Sequence, residues 1–143
     1  MSIKSYFIYL WIVLILSCSN SDESPSTGTH FEPPSWIIGI WEETMPIFSN
    51  NPRIYEFTSN NFIHRSWPGS TEGLDYNKSI NNMFTHKIVE RNHDTTYEID
   101  LYISGDEPTT FWKFIKISNL EINCWLKDGL LNAPQEFNLI KLN

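Results

Sequence analysis

Basic residues, cysteine and glycine are all scarce in this chain, and each shortage closes off a class of function. Ten lysines and arginines stand against seventeen acids, for a formal charge of −7. A surface of that sign repels phosphate, which excludes nucleic acid and anionic lipid surfaces as partners. Two cysteines, Cys18 and Cys124, allow one disulfide at most, and the six glycines form no phosphate-cradling loop. His64, His86 and His93 share no spacing, and there is no His-x-x-x-His and no cysteine pair, so nothing local recommends a metal site. Solvated or hydrogen-bonded histidines are expected. Glu42-Glu43 and Asp106-Glu107 are adjacent acids, which in a strand point to opposite faces and do not pair as acid and base. No serine-nucleophile motif or dinucleotide fingerprint is present. The expectation is a protein without catalysis, metal or cofactor. Long apolar runs are missing too: Tyr6 to Leu16 is about eleven residues, where a membrane-spanning helix needs roughly twenty.

That short run sits in an informative setting. Lys4 gives a positive start, Tyr6 to Leu16 an apolar stretch, and Ile15-Leu16-Ser17-Cys18 resembles the lipobox of bacterial lipoprotein signals. The resemblance implies that residues 1–17 are a removed signal peptide and that Cys18 becomes the lipidated amino terminus, tethered to a membrane by two or three acyl chains. Cleavage would remove Lys4 and no acid, making the charge more negative still. Cys124 would be the only thiol left, so no internal disulfide is expected. Ser19-Asn20-Ser21-Asp22-Glu23-Ser24 looks like the acidic surface-export signal of lipoproteins from the Bacteroidota, which implies an outer-membrane location with the domain at the cell surface. Few apolar residues and several prolines then mark residues 18–35 as the lipidated cysteine and a flexible linker.

Residues 36–143 read as one domain. Aromatic and β-branched stretches are broken by turn signals roughly every ten residues, an all-β pattern. Eight strands are expected: Trp36 to Thr44, Arg53 to Thr58, Asn61 to Trp67, Phe84 to Arg91, Thr95 to Ile103, Thr109 to Ser118, Leu120 to Lys127 and Gln135 to Leu142. No stretch shows convincing helical periodicity. Short turns such as Ser59-Asn60, Gly105-Asp106 and Asp128-Gly129 imply antiparallel neighbours. Alternation puts Tyr97, Ile99, Leu101 and Ile103 inside and Glu98 and Asp100 outside, and places Cys124 in the apolar row of its strand as an inert core residue.

An antiparallel meander of eight strands closes most economically into a barrel, which removes exposed edges, and a β-sandwich is the alternative. Gly39-Ile40-Trp41 resembles the Gly-x-Trp element that opens lipocalins and the lipocalin-like domains of small Bacteroidota lipoproteins. Arg53 to Thr58 with Asn61-Phe62-Ile63 resembles their second hairpin, and Phe137 to Leu142 their closing strand. In that family Gly39 would allow close backbone packing and Trp41 would plug the closed end. The late partner arginine of the family pattern is absent here.

Small barrels hold packed side chains or one small ligand. The cup for an apolar ligand would be lined by Trp41, Tyr55, Phe57, Phe62, Tyr97, Leu101, Trp112 and Phe114, which equally fill a small core. The long connection from Pro68 to Asn82 offers Trp67 and Tyr76 as aromatic anchors for a partner or lid. The strand from Phe111 to Ile117 is apolar on nearly every position, which makes the surface around Trp112 and Trp125 a candidate partner contact. Asp94-Thr95-Thr96 resembles a Bacteroidota O-glycosylation signal and would decorate Thr95. The sequence therefore points to a lipid-anchored envelope binding module holding a small apolar ligand or a partner. An accessory subunit of an outer-membrane transport or secretion complex, and a membrane-tethered immunity or inhibitor protein, are the alternatives.

Overall fold

Period-two alternation of burial is clearest in the last three strands of the computed structural model, which describes residues 26–28, 30–45, 51–65, 73–81, 87–103, 105–129 and 133–143. The strands are β1 (Ser26–Gly28), β2 (Gly39–Glu43), β3 (Ile54–Thr58), β4 (Asn61–Arg65), β5 (Leu74–Asp75), β6 (Lys87–Asn92), β7 (Thr96–Tyr102), β8 (Thr110–Lys116), β9 (Glu121–Asp128) and β10 (Gln135–Leu142). One short helix, α1 (Tyr76–Asn81), follows β5 directly. All ten strands belong to one antiparallel sheet in the order β1-β6-β7-β8-β9-β10-β2-β3-β4-β5. A single sheet replaces the two layers of a sandwich. Each of the eight expected strands has its counterpart in β2 to β4 and β6 to β10.

The sheet curls because its last long strand returns to its first: β10 pairs with β2 from Leu139↔Glu43 to Leu142↔Ile40. Eight meander strands are thus arranged in the order a barrel needs, but the described residues do not close the ring between β4 and β6. Two short strands occupy that seam. β5 pairs with β4 through Ile63↔Asp75 and His64↔Leu74, and β1 pairs with β6 through Ser26↔Glu90 to Gly28↔Ile88. Edges only two and three residues long offer little backbone for stray pairing.

The linker expected before residue 36 is therefore shorter than its composition suggested. β1 lies within it, Phe31 is fully buried, and the Glu32 amide donates to both oxygens of the Glu90 carboxylate at 3.1 and 3.0 Å. Phe31 meets Phe62 and Tyr76 edge-on with ring centroids 6.0 and 6.2 Å apart. Burying one such ring is worth roughly 1.5–3 kcal/mol, enough to hold an otherwise polar segment in the seam.

Two ends differ in character. At one end Trp41 is fully buried and its indole N–H donates to the Ile37 carbonyl at 2.7 Å. Lys141 lies over the Trp41 ring, 5.2 Å from its centroid, and donates to the Ile38 carbonyl at 2.7 Å. Gly39 makes this approach possible: its φ is +138°, and a Cβ there would sit 2.6 Å from Lys141 Cε. Above this plug the interior rows from every long strand form one core that includes Phe57, Phe62, Tyr97, Phe114, Ile122, Cys124 and Leu139. Two residues depart from the expected faces of β7. Asp100 is buried and accepts from Arg91 at 2.8 Å, while Ile103, just past the end of the strand, is exposed.

Candidate functional site

At the end opposite Trp41 the interior turns polar. Interior positions two residues beyond the core rows bring Glu43, Arg53, His64 and Gln135 together where a sheet of this alternation would carry apolar side chains. Arg53 donates from Nε and Nη2 to the two oxygens of Glu43, each at 2.9 Å, and from Nη1 to Gln135 Oε1 at 3.1 Å. Its guanidinium also lies over Phe137, 4.2 Å from the ring centroid. A planar fork meeting a carboxylate on both oxygens is the strongest form of such a pair. The Glu43 carboxylate is almost wholly shielded from water, so the two charges neutralise one another locally.

Among the buried polar atoms without a hydrogen-bond partner in the described residues are the Tyr55 hydroxyl, His64 Nε2 and the Trp112 indole nitrogen. They belong to one contiguous set of rings. Tyr55 stacks on His64 at 4.8 Å and on Phe62 at 6.1 Å. Phe62 meets Trp112 edge-on at 5.4 Å, and Tyr76 meets Trp112 at 5.3 Å. The Tyr55 hydroxyl is within electrostatic reach of Cys124, Arg53, Glu43 and Tyr76, as the His64 ring is of Arg53 and Glu43. Burial pushes the Tyr55 hydroxyl well above the ordinary phenol range, and burial followed by the Arg53 charge lowers His64 to about 4. Both are neutral at pH 7. An unpartnered buried donor or acceptor costs roughly 1–3 kcal/mol, and these three belong to rings that follow one another through Phe62.

The expected cup residues lie inside. Trp41, Tyr55, Phe57, Phe62, Tyr97, Leu101, Trp112 and Phe114 are all buried. Rings from this set pack on one another, with Phe57–Phe62 at 4.8 Å, Phe57–Phe114 at 5.0 Å and Tyr97–Phe114 at 6.2 Å. The Tyr97 hydroxyl donates to buried Glu90, whose carboxyl is raised above its ordinary value by burial. Tyr76 is not an exposed anchor as expected. It begins α1, is buried, and stacks on Phe62 at 4.9 Å, because Asp75 caps the helix and holds it over the seam. Trp112 and Trp125 do not share a surface: odd and even positions of paired β8 and β9 put Trp112 inside and Trp125 outside. On the outer wall Trp125 meets Phe111 edge-on at 5.3 Å. They border a depression of about 370 Å³ with Lys113, Ile115, Asn123 and Glu136. Thr95 is exposed in the β6–β7 turn. Cys124 is fully buried, and burial raises its thiol well above the ordinary range. Cys18 and Trp67 lie outside the described residues.

Glu43, Arg53, His64 and Gln135 are site residues that the sequence did not single out. The signal was there in spacing: each stands two residues from an interior aromatic, Trp41, Tyr55, Phe62 and Phe137 respectively. No group of three metal-binding side chains is found among the described residues.

Comparison with protein-family models, curated proteins and solved structures gives no match for this chain.

Proposed function

We propose that this protein is a lipid-anchored, non-catalytic binding module of the cell envelope, with a lipocalin-like barrel that holds one small molecule at its polar interior end. The single observation that carries the reading is that polar atoms of the Tyr55, His64 and Trp112 rings are buried without a partner among the described residues, the first two rings within electrostatic reach of the Arg53–Glu43 pair. The site is not the purely apolar cup that the aromatic content suggests, since the lower rings are engaged with one another. Lipocalin likeness rests on Gly39 and Trp41 at the closed end, and the missing late arginine of the family pattern remains a departure. The outer-membrane, surface-exposed location and the acyl chains on Cys18 rest on the lipobox and the acidic residues behind it.

Two measurements test this. Gentle solubilisation from native envelopes and then native mass spectrometry is expected to give the chain with one additional small molecule, and a bare chain would contradict the reading. Labelling with radioactive palmitate is expected to mark the wild type and not Cys18→Ala, and equal labelling would remove the anchor.

A second reading is favoured by the outer wall. The Phe111–Trp125 pair beside Lys113 and Ile115 suits docking on another envelope protein, as an accessory subunit would. Trp125→Ala is then expected to abolish co-purification of that protein while leaving the small molecule bound.

A further inference from the structure

The apolar residues that the core leaves out are not scattered. Of the nine large apolar side chains exposed among the described residues, five gather at the closed end: Ile40, Ile117, Leu120, Ile140 and Leu142. Pairing makes them neighbours. Leu142 stands opposite Ile40 across the β10–β2 ladder, Ile140 shares the outer face of β10 with Leu142, and the Lys141 amide between those two donates to the Leu120 carbonyl at 3.0 Å. Ile117 begins the same β8–β9 turn, its amide donating to the Glu121 carbonyl at 3.0 Å. Ile117 and Leu120 are 55% and 59% exposed, too far out to serve the core, and turn chemistry asks for neither. Single apolar residues on a surface need no explanation, whereas a group of them marks a contact.

Bordering charges are drawn aside. The Lys141 ammonium is held by the Ile38 carbonyl and the Trp41 ring, the Glu121 carboxylate accepts from Asn138 Nδ2 at 3.3 Å, and Glu56, opposite Ile40, is paired with Arg65. Glu42, opposite Ile140, marks the polar border of the group. The path of the chain then says what covers this surface. The β6–β7 turn lies at the same end, since Thr96 pairs with Ile115, two residues before Ile117. β1 runs against β6, from Ser26 opposite Glu90 to Gly28 opposite Ile88, so the chain enters the sheet from the closed-end side and heads for the polar end. Cys18 precedes Ser26 by eight residues, and a stretch of that length spans at most about 29 Å. A lipid anchor on Cys18 therefore keeps the bilayer within reach of the closed end. An anchor on a tether holds a domain near the membrane without fixing how it faces, and an apolar surface at the anchored end supplies the second contact.

We propose that the closed end is a membrane-seating surface: Ile40, Ile117, Leu120, Ile140 and Leu142 enter the interfacial layer of the bilayer that carries the anchor, and hold the polar end outward. The net charge of −7 makes the fitting lipid a zwitterionic one. This inference rests on the reading that Cys18 is acylated, and it adds the surface that orients the domain.

The test uses the full chain, isolated from native envelopes and placed in phosphatidylcholine vesicles, with an environment-sensitive dye on one added cysteine. The cysteine is Leu120→Cys at the closed end or, in the exposed β7–β8 connection at the opposite end, Asp106→Cys. Cys124 is fully buried and takes no dye, and the unsubstituted chain reports any dye on Cys18. Phosphatidylcholine with a nitroxide near its headgroup reads contact with lipid. The dye at position 120 is expected to shift to blue and to be quenched by the nitroxide, and the dye at position 106 to do neither. Ile40→Ser combined with Leu142→Ser is expected to cut the quenching at position 120 about threefold, because two aliphatic side chains leave the interface. Its melting midpoint should not fall, since both side chains are exposed. Palmitate incorporation in the same samples separates the seat from the anchor. A chain that takes palmitate but shows no quenching at position 120, or equal quenching at both ends, overturns the seat and leaves the anchor. Quenching at position 120 without palmitate keeps the seat and removes the anchor. A blue shift that nitroxide lipid does not quench overturns the seat in favour of a protein covering, a second copy or another partner. Absence of both palmitate and quenching overturns both.

Discussion

Residue by residue, the interior is governed by a few contacts that leave little room for substitution. Gly39 is the clearest. Its positive φ and the 2.6 Å approach that a Cβ would make to Lys141 act together. The lysine can move its flexible end, but the backbone strain stays, and such strain costs on the order of 1–3 kcal/mol. Gly39→Ala is expected to lower unfolding stability by that amount in denaturant titration, and to loosen Lys141 from Trp41, read as a shift in tryptophan fluorescence. An unchanged midpoint would mean the plug does not depend on that approach. The polar end obeys a second rule of the same scale. Glu43, His64 and Gln135 occupy inward positions by strand parity, and Arg53, just before β3, continues the parity of Tyr55 and Phe57. Residue type argued for solvent, parity argued for the interior, and parity won because Arg53 bonds both Glu43 and Gln135 while His64 enters as a neutral ring stacked on Tyr55.

Among the elements, those long enough to show alternation are legible in the sequence and the shorter ones are not. β10 is legible to both its ends, Gln135 and Leu142, because inward Phe137 and Leu139 alternate with outward Glu136 and Asn138. β1 is Ser-Thr-Gly and β5 is Leu-Asp, and neither carries a period. They exist because β6 and β4 leave edges open, which is a property of the assembled sheet. The helix is hidden for a similar reason. Six residues is less than two turns, and its start is fixed by Asp75, whose carboxylate accepts the Lys78 amide at 3.1 Å and the Asn61 side chain at 3.0 Å. Removing an N-cap of this kind costs about 1 kcal/mol. Asp75→Ala is therefore expected to fray α1 and release Tyr76 from Phe62, seen as faster amide exchange over residues 76–81 with little change in β7 to β9. Uniform acceleration across the sheet would show that the helix is not an independent cover.

For the whole molecule, the meander order and the return of β10 to β2 are foreseeable from turn spacing, whereas the seam that the described residues leave between β4 and β6 is not. Closing a ring depends on the length and path of the connection between β4 and β6, and composition does not encode that path. The interior's polarity then sets a pH response. His64 is depressed to about 4 in the folded protein against an ordinary 6.5, because burial and Arg53 oppose its charge. A depressed folded value means the unfolded chain takes the proton first. The stability tied to His64 is thus fully present above about pH 6.5 and is lost as pH falls toward 4, on the order of 3 kcal/mol over that window. Glu90 acts in the opposite sense: its carboxyl is raised by burial, so the penalty of ionising it is relieved on acidification below the raised value. The two are separated by comparing the wild type with His64→Phe, whose stability curve between pH 6.5 and 4 is expected to be flatter by the histidine's share. Parallel curves would place His64 in solvent in the folded state.

The proposed function stands or falls on whether a small molecule satisfies the unpartnered polar atoms of Tyr55 and His64 at the polar end of the curled sheet. A high-resolution crystal structure of protein purified from native envelopes without ligand-stripping steps tests it most directly. Density for a small organic molecule within hydrogen-bonding distance of the Tyr55 hydroxyl or His64 Nε2 is expected. Ordered water on these groups, or side chains turned to satisfy one another, would contradict the proposed function.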